Sequence, residues 1–388
     1  MKLAKLSLAA IVVAGLATSS FAADTLEGAF KEGKVSGALK AYWIDTNNDG
    51  ATVDSDGKAV GGLLKYTTGT LNGFAAGFEF QTSHTLGGED TNPAANDASV
   101  AIQKSLLSEA YITYTMKDTT AKIGRMHLGT PLVSDSGSRM IRDYFTGGIL
   151  VNTSLPNTTL VAGMVTEHTS RAGAITKPDK PIFTVYGTTK QAGFEITGQV
   201  AFNDSVAAGV EDGTKDYYLE VAYGFGQAMP VTLAAQYIGF DTDVLNQRDS
   251  SSFGLKAEVA VGGFGLGAYY TTTDDDNIVR GGWGQGNDPS YNSIQILSGN
   301  GAGVDAYRGK VSYDFSKAGV AGLTAFTTYG VYKDIINNID DATELDFDIA
   351  YEFGGALKGL SAEIQYAIVE QDNAEDSNNL RFMANYKF

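Results

Sequence analysis

Hydrophobicity in this chain alternates with a period of two almost from end to end, in paired runs. "ELDFDIAYEFGG" places Leu345, Phe347, Ile349, Tyr351 and Phe353 on one face and Glu344, Asp346, Asp348 and Glu352 on the other. "DYYLEVAYGF" sets Tyr217, Leu219, Val221, Tyr223 and Phe225 against Glu220, and "KVSGALKAYW" sets Val35, Leu39 and Trp43 against Ser36 and Lys40. A two-residue period is that of a strand with one apolar face, whereas an amphipathic helix repeats at 3.6. The links between runs also alternate. One is short, as at 117–119, 191–193 and 262–263; the next is long and polar, as at 45–57, 128–144 and 275–303. The count is about eighteen strands of roughly ten residues, with turns at one end and loops at the other. No shift in composition divides the chain.

The last residues, "NNLRFMANYKF", keep alternating to the final Phe388, where a soluble domain usually frays. A sheet in lipid cannot leave an edge, because no water is there to satisfy its N–H and C=O groups. The last strand must then pair with the first. The expected fold is all-β: a transmembrane antiparallel β-barrel, apolar parity outward, with Tyr386 and Phe388 in the aromatic girdle. A secreted β-sandwich also alternates, but it does not explain the two-sided loop rhythm or the terminal Phe. The closing strand is the segment that barrel assembly machinery would engage.

The N-terminus supplies the route. Residues 1–22 carry Lys2 and Lys5, an apolar run from Leu6 to Leu16, and Ser20 and Ala22 at the cleavage positions. This reads as a secretory signal peptide, too short to span a bilayer as a helix. Residues 23–388 then form one barrel domain in the outer membrane of a Gram-negative bacterium. The chain has no cysteine and a net charge of -17, which excludes a disulfide framework and disfavours nucleic acid.

One stretch is more specific. "KIGRMHLGTPLVSDSGSRMIRDYFTGG" (122–148) contains Gly124-Arg125, Thr130-Pro131-Leu132-Val133, Ser138-Arg139-Met140 and Phe145. It resembles the OprD-type outer-membrane porins, and "DTLEGAFKEGKVSGALKAYW" is similar to members from Campylobacter-related bacteria. The resemblance implies eighteen strands, a third long loop folded into the lumen, and a basic track for carboxylate-bearing solutes such as amino acids or organic acids. It assigns that track to Arg125 and Arg139. Two departures stand out: Met126 where the family has Gln, and Arg142-Asp143 where it has Pro-Asn.

The polar parity itself gives a charged lumen. Its bases include Lys40, Lys65, Arg125, Lys256, Arg308, Lys310, Arg381 and Lys387; its acids include Glu79, Glu109, Glu220, Asp346, Asp348, Glu352 and Glu363. Opposite charges on facing walls select solutes by charge. The expected constriction and basic track are Arg125, Arg139, Arg142, Lys256, Arg308, Lys310 and Arg381, facing an acidic wall of Asp346, Asp348 and Glu352.

Other signals are weaker. Asp45, Asn47, Asp49, Gly50 and Asp56 fall at the spacing of a calcium loop, although Asp, Asn and Gly are also turn residues. A structural Ca²⁺ is the one cofactor this leaves open. The histidines, His84, His127 and His168, are the ordinary general bases, and no nucleophile sits at a telling spacing, so an enzyme is not expected. The reading is a passive diffusion channel for small polar or charged solutes, surrounded by outer-membrane lipid and lipopolysaccharide, with a homotrimer left open. Two alternatives remain at this stage: a general cation-preferring porin, and a barrel that anchors adhesive surface loops.

Overall fold

A computed structural model describes residues 23–388 except 51, 53, 88–102, 204–212, 244–247, 280, 287 and 337–339. The expected signal peptide, 1–22, lies outside the described residues. Eighteen strands make up the wall. They are β1 (Lys34–Asn48), β2 (Ser55–Thr67), β3 (Phe74–Thr85), β4 (Lys104–Met116), β5 (Thr119–Met126) and β6 (Tyr144–Asn152). Next come β7 (Thr158–Thr169), β8 (Ile182–Gln191), β9 (Phe194–Asn203), β10 (Thr214–Phe225), β11 (Val231–Thr242) and β12 (Ser250–Val261). The last six are β13 (Phe264–Thr273), β14 (Asp305–Asp314), β15 (Leu323–Ile336), β16 (Asp340–Glu352), β17 (Leu360–Gln371) and β18 (Ser377–Lys387). A two-residue strand, Ile175–Thr176, lies in a loop and, among the described residues, pairs with His168–Thr169.

Each wall strand pairs antiparallel with the next, and β18 returns to β1 from Ala38↔Lys387 to Asn48↔Ser377. The seam runs to the last residue: Gly37 N–H donates to Phe388 O at 3.0 Å, and Phe388 N–H to Gly37 O at 3.1 Å. The barrel is closed, and no strand of the wall is an edge. Short turns use residues that tolerate positive φ, as in Asn72-Gly73 at 50° and 87°, the signature of a two-residue hairpin.

The alternation sorts as lipid requires. Leu219, Phe347 and Ile349 are 47%, 45% and 52% exposed, whereas Glu344, Asp346 and Asp348 are at most 6% exposed. The apolar parity faces out, and the polar parity is buried because loops fill much of the lumen. Strict alternation fails where an extra residue enters a strand. Glu79 opposes Glu109 and Phe80 opposes Leu107, so Ser108 is a bulge residue and both Ser108 and Glu109 are buried.

The sequence reading contained no helix, yet α1 (Leu26–Lys31) precedes the wall. Thr25 Oγ caps it by accepting from Gly28 N–H at 3.0 Å. Gly69 N–H donates to Ala29 O at 2.8 Å, holding the helix against the first short turn.

Candidate functional site: a constriction built by two loops

The third long loop, 127–143, leaves β5 and crosses the lumen. Its Met140 packs with Tyr42 and Ile44 of β1, Ala59 of β2 and Met383 of β18. Its Leu132 and Val133 pack with Ile182 of β8, Ala201 of β9, Tyr218 of β10 and Ile238 of β11. Strands β1 and β10 stand on opposite sides of the ring, so one loop touches both sides. The third loop does fold inward, as expected.

Hydrogen bonds fix it at several points. Lys40 Nζ of β1 donates to Arg139 O at 3.2 Å and Met140 O at 3.4 Å. Gln81 of β3 accepts from Arg142 N–H at 2.8 Å and donates to Arg142 O at 3.3 Å. Gln199 of β9 accepts from Leu132 N–H at 2.8 Å. Loop backbone cannot cross a lumen with its polar groups unmet, and these wall side chains meet them.

The base of the loop is a charge network. His127 lies 2.9 Å from Glu79 through Nε2 and 2.5 Å from Asp135 through Nδ1. Burial alone would lower the His127 pKa, but the two carboxylates outweigh it and raise it to about 9. Asp135 also receives Arg142. Asp143 accepts from Ser136 N–H at 2.7 Å and Gln285 N–H at 2.9 Å and lies 2.9 Å from His168. Burial opposes ionisation of Asp143, but these donors win and lower its pKa.

The seventh loop, 274–304, whose sequence reads as a long polar connection, is a second lumen element. Trp283 N–H donates to Leu132 O at 2.8 Å, and Ser134 N–H to Trp283 O at 3.0 Å, joining the two loops as a short parallel bridge. Beyond it, Tyr291 donates to Glu220 of β10 at 2.8 Å. Ile296 and Leu297 N–H groups donate to Glu344 of β16 at 2.8 and 2.6 Å. Gln295 donates to Asn379 of β18 at 2.9 Å. The signal was present: Trp283, Tyr291, Ile294, Ile296 and Leu297 are too apolar for a free surface loop.

The expected basic residues fall into different places. Lys256, Arg308, Lys310 and Arg381 face the lumen. Lys256 sits 4.4 Å from the Tyr291 ring centre, Arg308 3.8 Å from that of Tyr269, and Lys310 3.7 Å from that of Phe326. Arg381 donates through Nε to Asn379 at 2.7 Å. Arg139 lies half-buried at the tip of the third loop. Arg142 is at the constriction but is held by Asp135.

Arg125 requires a correction. It was expected on the polar parity, but it shares its face with Ile123, which is 69% exposed, while Lys122 and Met126 are buried inside. Arg125 stacks 4.9 Å from the Tyr144 ring centre and donates to Leu107 O at 2.8 Å. The acids also differ from expectation. Asp346 and Asp348 are on β16, between the bases of β14 and Arg381 of β18, so charges interleave along one wall. Glu352 is exposed at the turn end of β16. Glu109 and Lys65, both read as lumen residues, do meet there, and their third partner was not legible: Glu109 bonds Lys65 and lies 3.3 Å from buried Lys122.

Part of the calcium-loop spacing comes together: Asp45 and Asp56 are opposite each other on β1 and β2, and Asn47 Nδ2 donates to Asp45 Oδ2 at 3.3 Å. Asp45 and Asn47 run along extended β1, and Asp56 is held by Trp43 Nε1 at 2.7 Å and Lys58 Nζ at 2.8 Å. Asp49 lies beyond the end of β1, its N–H donating to Asp376 O at 2.9 Å. Among the described residues no group of three or more metal-binding side chains gathers. Tyr386 and Phe388 are exposed at the turn end of the barrel, with ring centres 6.2 Å apart.

A family model described as outer membrane porin, OprD family, matches residues 66–388. A search among curated proteins found no match. Among solved structures the chain is similar to OpdO of Pseudomonas aeruginosa, with a TM-score of 0.81 at 16% identity, covering 93% of this chain and 98% of that one. It is similar to OccK9 (OpdG) of the same organism, with a TM-score of 0.81 at 18% identity over 93% and 99%. OpdK of that organism, solved with vanillate, gives 0.80 at 16% over 93% and 100%.

Proposed function

Because this chain belongs to the OprD family of outer-membrane porins, we propose that it is a passive channel for small carboxylate-bearing solutes. The family and fold are in general non-enzymatic, so the mechanism is passage down a gradient. The observation that carries the reading is the set of cations kept on the lumen side where the loops cross: Lys40, Arg139, Lys256, Arg308, Lys310 and Arg381.

Three of these, Lys256, Arg308 and Lys310, lie on aromatic faces. A ring holds a cation in place through its face, and Lys256 is also 4.0 Å from the Glu220 carboxylate of β10. Few waters fit in a constriction, so such a charge attracts a carboxylate more strongly than in bulk water. A guanidinium fork matches both carboxylate oxygens, and several weak sites in succession let the solute leave as easily as it enters. The outer loops are acidic, but salt screens them beyond ~8–10 Å. OpdK, a structural relative, was solved with vanillate, a carboxylate.

The interleaved acids Asp346 and Asp348 favour a second reading, a channel that prefers cations. The reversal potential of the purified protein in a planar bilayer under a KCl gradient separates the two. An anion-selective sign supports the basic track, and a cation-selective sign removes it.

A further inference from the structure

Arg125 stands on the lipid-facing side of the wall, the last residue but one of β5, at the end where the third loop begins. Its Nη1 donates to Leu107 O of β4 at 2.8 Å, and its guanidinium lies 4.9 Å from the Tyr144 ring centre. Among the described residues it forms no ion pair. Glu167 of β7, two strands on, is held by Lys177 at 3.0 Å. A half-buried cation on the outer face thus has donors left over and no counter-charge.

The outward residues beside it on β3 and β4 are polar too. Ser105 is opposite Thr82, and their hydroxyls lie 2.8 Å apart; Thr82 Oγ1 lies 3.0 Å from His84 Nε2. Ser105 is one two-residue step along β4 from Leu107, about 7 Å, so one lipid headgroup covers Arg125 and this chain of polar groups. Lys58 of β2, beyond His84, is held by Asp56 at 2.8 Å. Toward the midplane Phe80, Leu107 and Ile123 restore the exposed apolar face. Elsewhere around the barrel the outward positions near the loop end are aromatic, as at Phe183, Phe202, Phe253, Tyr270 and Tyr307. The girdle is therefore replaced by a polar, cationic patch on β3 to β5.

We infer that Arg125, with Ser105, Thr82 and His84, is a docking site on the outer face for a phosphate of lipopolysaccharide. Long loops lie on the extracellular side of such barrels, so the patch is level with the headgroups of the outer leaflet. Lipopolysaccharide brings phosphate and acyl chains in one molecule. The phosphate supplies the counter-charge that Arg125 lacks and accepts from its fork, and the hydroxyls and imidazole give further hydrogen bonds. Phe80, Leu107 and Ile123 lie where the acyl chains of the same molecule descend. The site is outside the lumen, so it stands whatever solute the channel carries.

The purified barrel in detergent can be titrated with lipid A carrying both phosphates, and with the same lipid stripped of phosphate, and the bound fraction read by mass spectrometry of the intact complex. The wild type is expected to bind the phosphorylated lipid about tenfold more tightly, the range of one hydrogen bond to a charged group. Arg125→Gln should lose about that factor for phosphorylated lipid A and nothing for the stripped form. Arg125→Lys, which keeps the charge, should recover most of it. Arg248→Gln, at an exposed arginine that pairs with Asp276 in an outer loop, should change neither affinity. If Arg125→Gln binds phosphorylated lipid A as tightly as the wild type, the site is overturned. If phosphatidylglycerol displaces lipid A at equal concentration, the phosphate belongs to a phospholipid and the assignment to lipopolysaccharide is overturned. Should Arg125→Gln not assemble, equal affinity of the wild type for the two forms of lipid A overturns the site by itself.

Discussion

Arg142 closes on Asp135 through two nitrogens, Nε to Oδ2 at 2.5 Å and Nη2 to Oδ1 at 2.6 Å. Both belong to the third loop, so the charge that a sequence reading assigns to the pore is used to shape the loop. Asp135→Asn would leave Arg142 and His127 short of a counter-charge in a buried place. The expected cost is about 1–3 kcal/mol, borne by the loop and not by the wall. Hydrogen exchange across residues 127–143 should quicken while gel mobility stays that of a folded barrel. Unchanged exchange in the loop would show that the pair does not hold it.

The His127 pKa gives the loop a pH limit. It is raised to about 9 in the folded protein from an ordinary value of 6.5. The protonated ring is the form that binds Glu79 and Asp135. Its stabilisation is therefore complete below about pH 6.5 and is lost as pH rises through about 9. Asp143 acts in the opposite sense: its lowered pKa supports the fold above the ordinary Asp range, and that support is lost only in strong acid. Single-channel current noise from loop motion should rise between pH 7 and 10 in the wild type. His127→Gln should be noisy throughout, and a wild-type trace flat over that range would contradict the assignment.

The wall was legible because lipid enforces parity: Leu219 and Glu220 could be sorted by type alone. Parity failed where chemistry did not reveal phase. Arg125 is charged and was read inward, yet Ile123 and buried Lys122 set the phase the other way. Near the loop end of a strand an outward arginine can reach the interface and stack on Tyr144. Long-range pairings were equally hidden. Nothing local says that Arg142 meets Asp135, that Gln285 meets Arg171, or that the seventh loop docks on the third.

Arg125 therefore separates pattern from structure. Arg125→Leu should leave reversal potential and conductance unchanged, since the side chain is outside the lumen. Adding it to Arg139→Gln should produce no further shift in selectivity. A selectivity change in the single variant would restore Arg125 to the pore.

Leu219 and Glu220 test the wall one residue apart. Leu219→Arg places a charge toward lipid and should cost about 2–4 kcal/mol if it lies near the midplane. Glu220→Gln should leave the wall stable but loosen the seventh loop, because Glu220 accepts from Tyr291. Urea unfolding in lipid vesicles reads the first effect and proteolysis within 274–304 the second. Equal unfolding midpoints for Leu219→Arg and wild type would mean that this strand faces the other way.

The seam offers the last prediction. Phe388 makes both backbone bonds to Gly37, and a Cβ on Gly37 would come within 2.6 Å of Leu63 O and of the Phe388 ring. Removing Phe388 leaves Gly37 N–H and C=O unpaired at the turn end of β1 and takes away an interfacial aromatic. Unmet backbone groups cost several kcal/mol in lipid and less at the interface, so closure should slow more than the finished barrel weakens. Deletion of Phe388 is expected to cut the fraction of protein whose gel mobility changes on boiling, the mark of a closed barrel. Phe388→Tyr keeps the backbone bonds and the ring and should assemble normally. Gly37→Val should resemble the deletion, because its side chain displaces Phe388 from the same place. Normal assembly of both the deletion and Gly37→Val would mean that the remaining β1–β18 pairs close the barrel without the terminal residue.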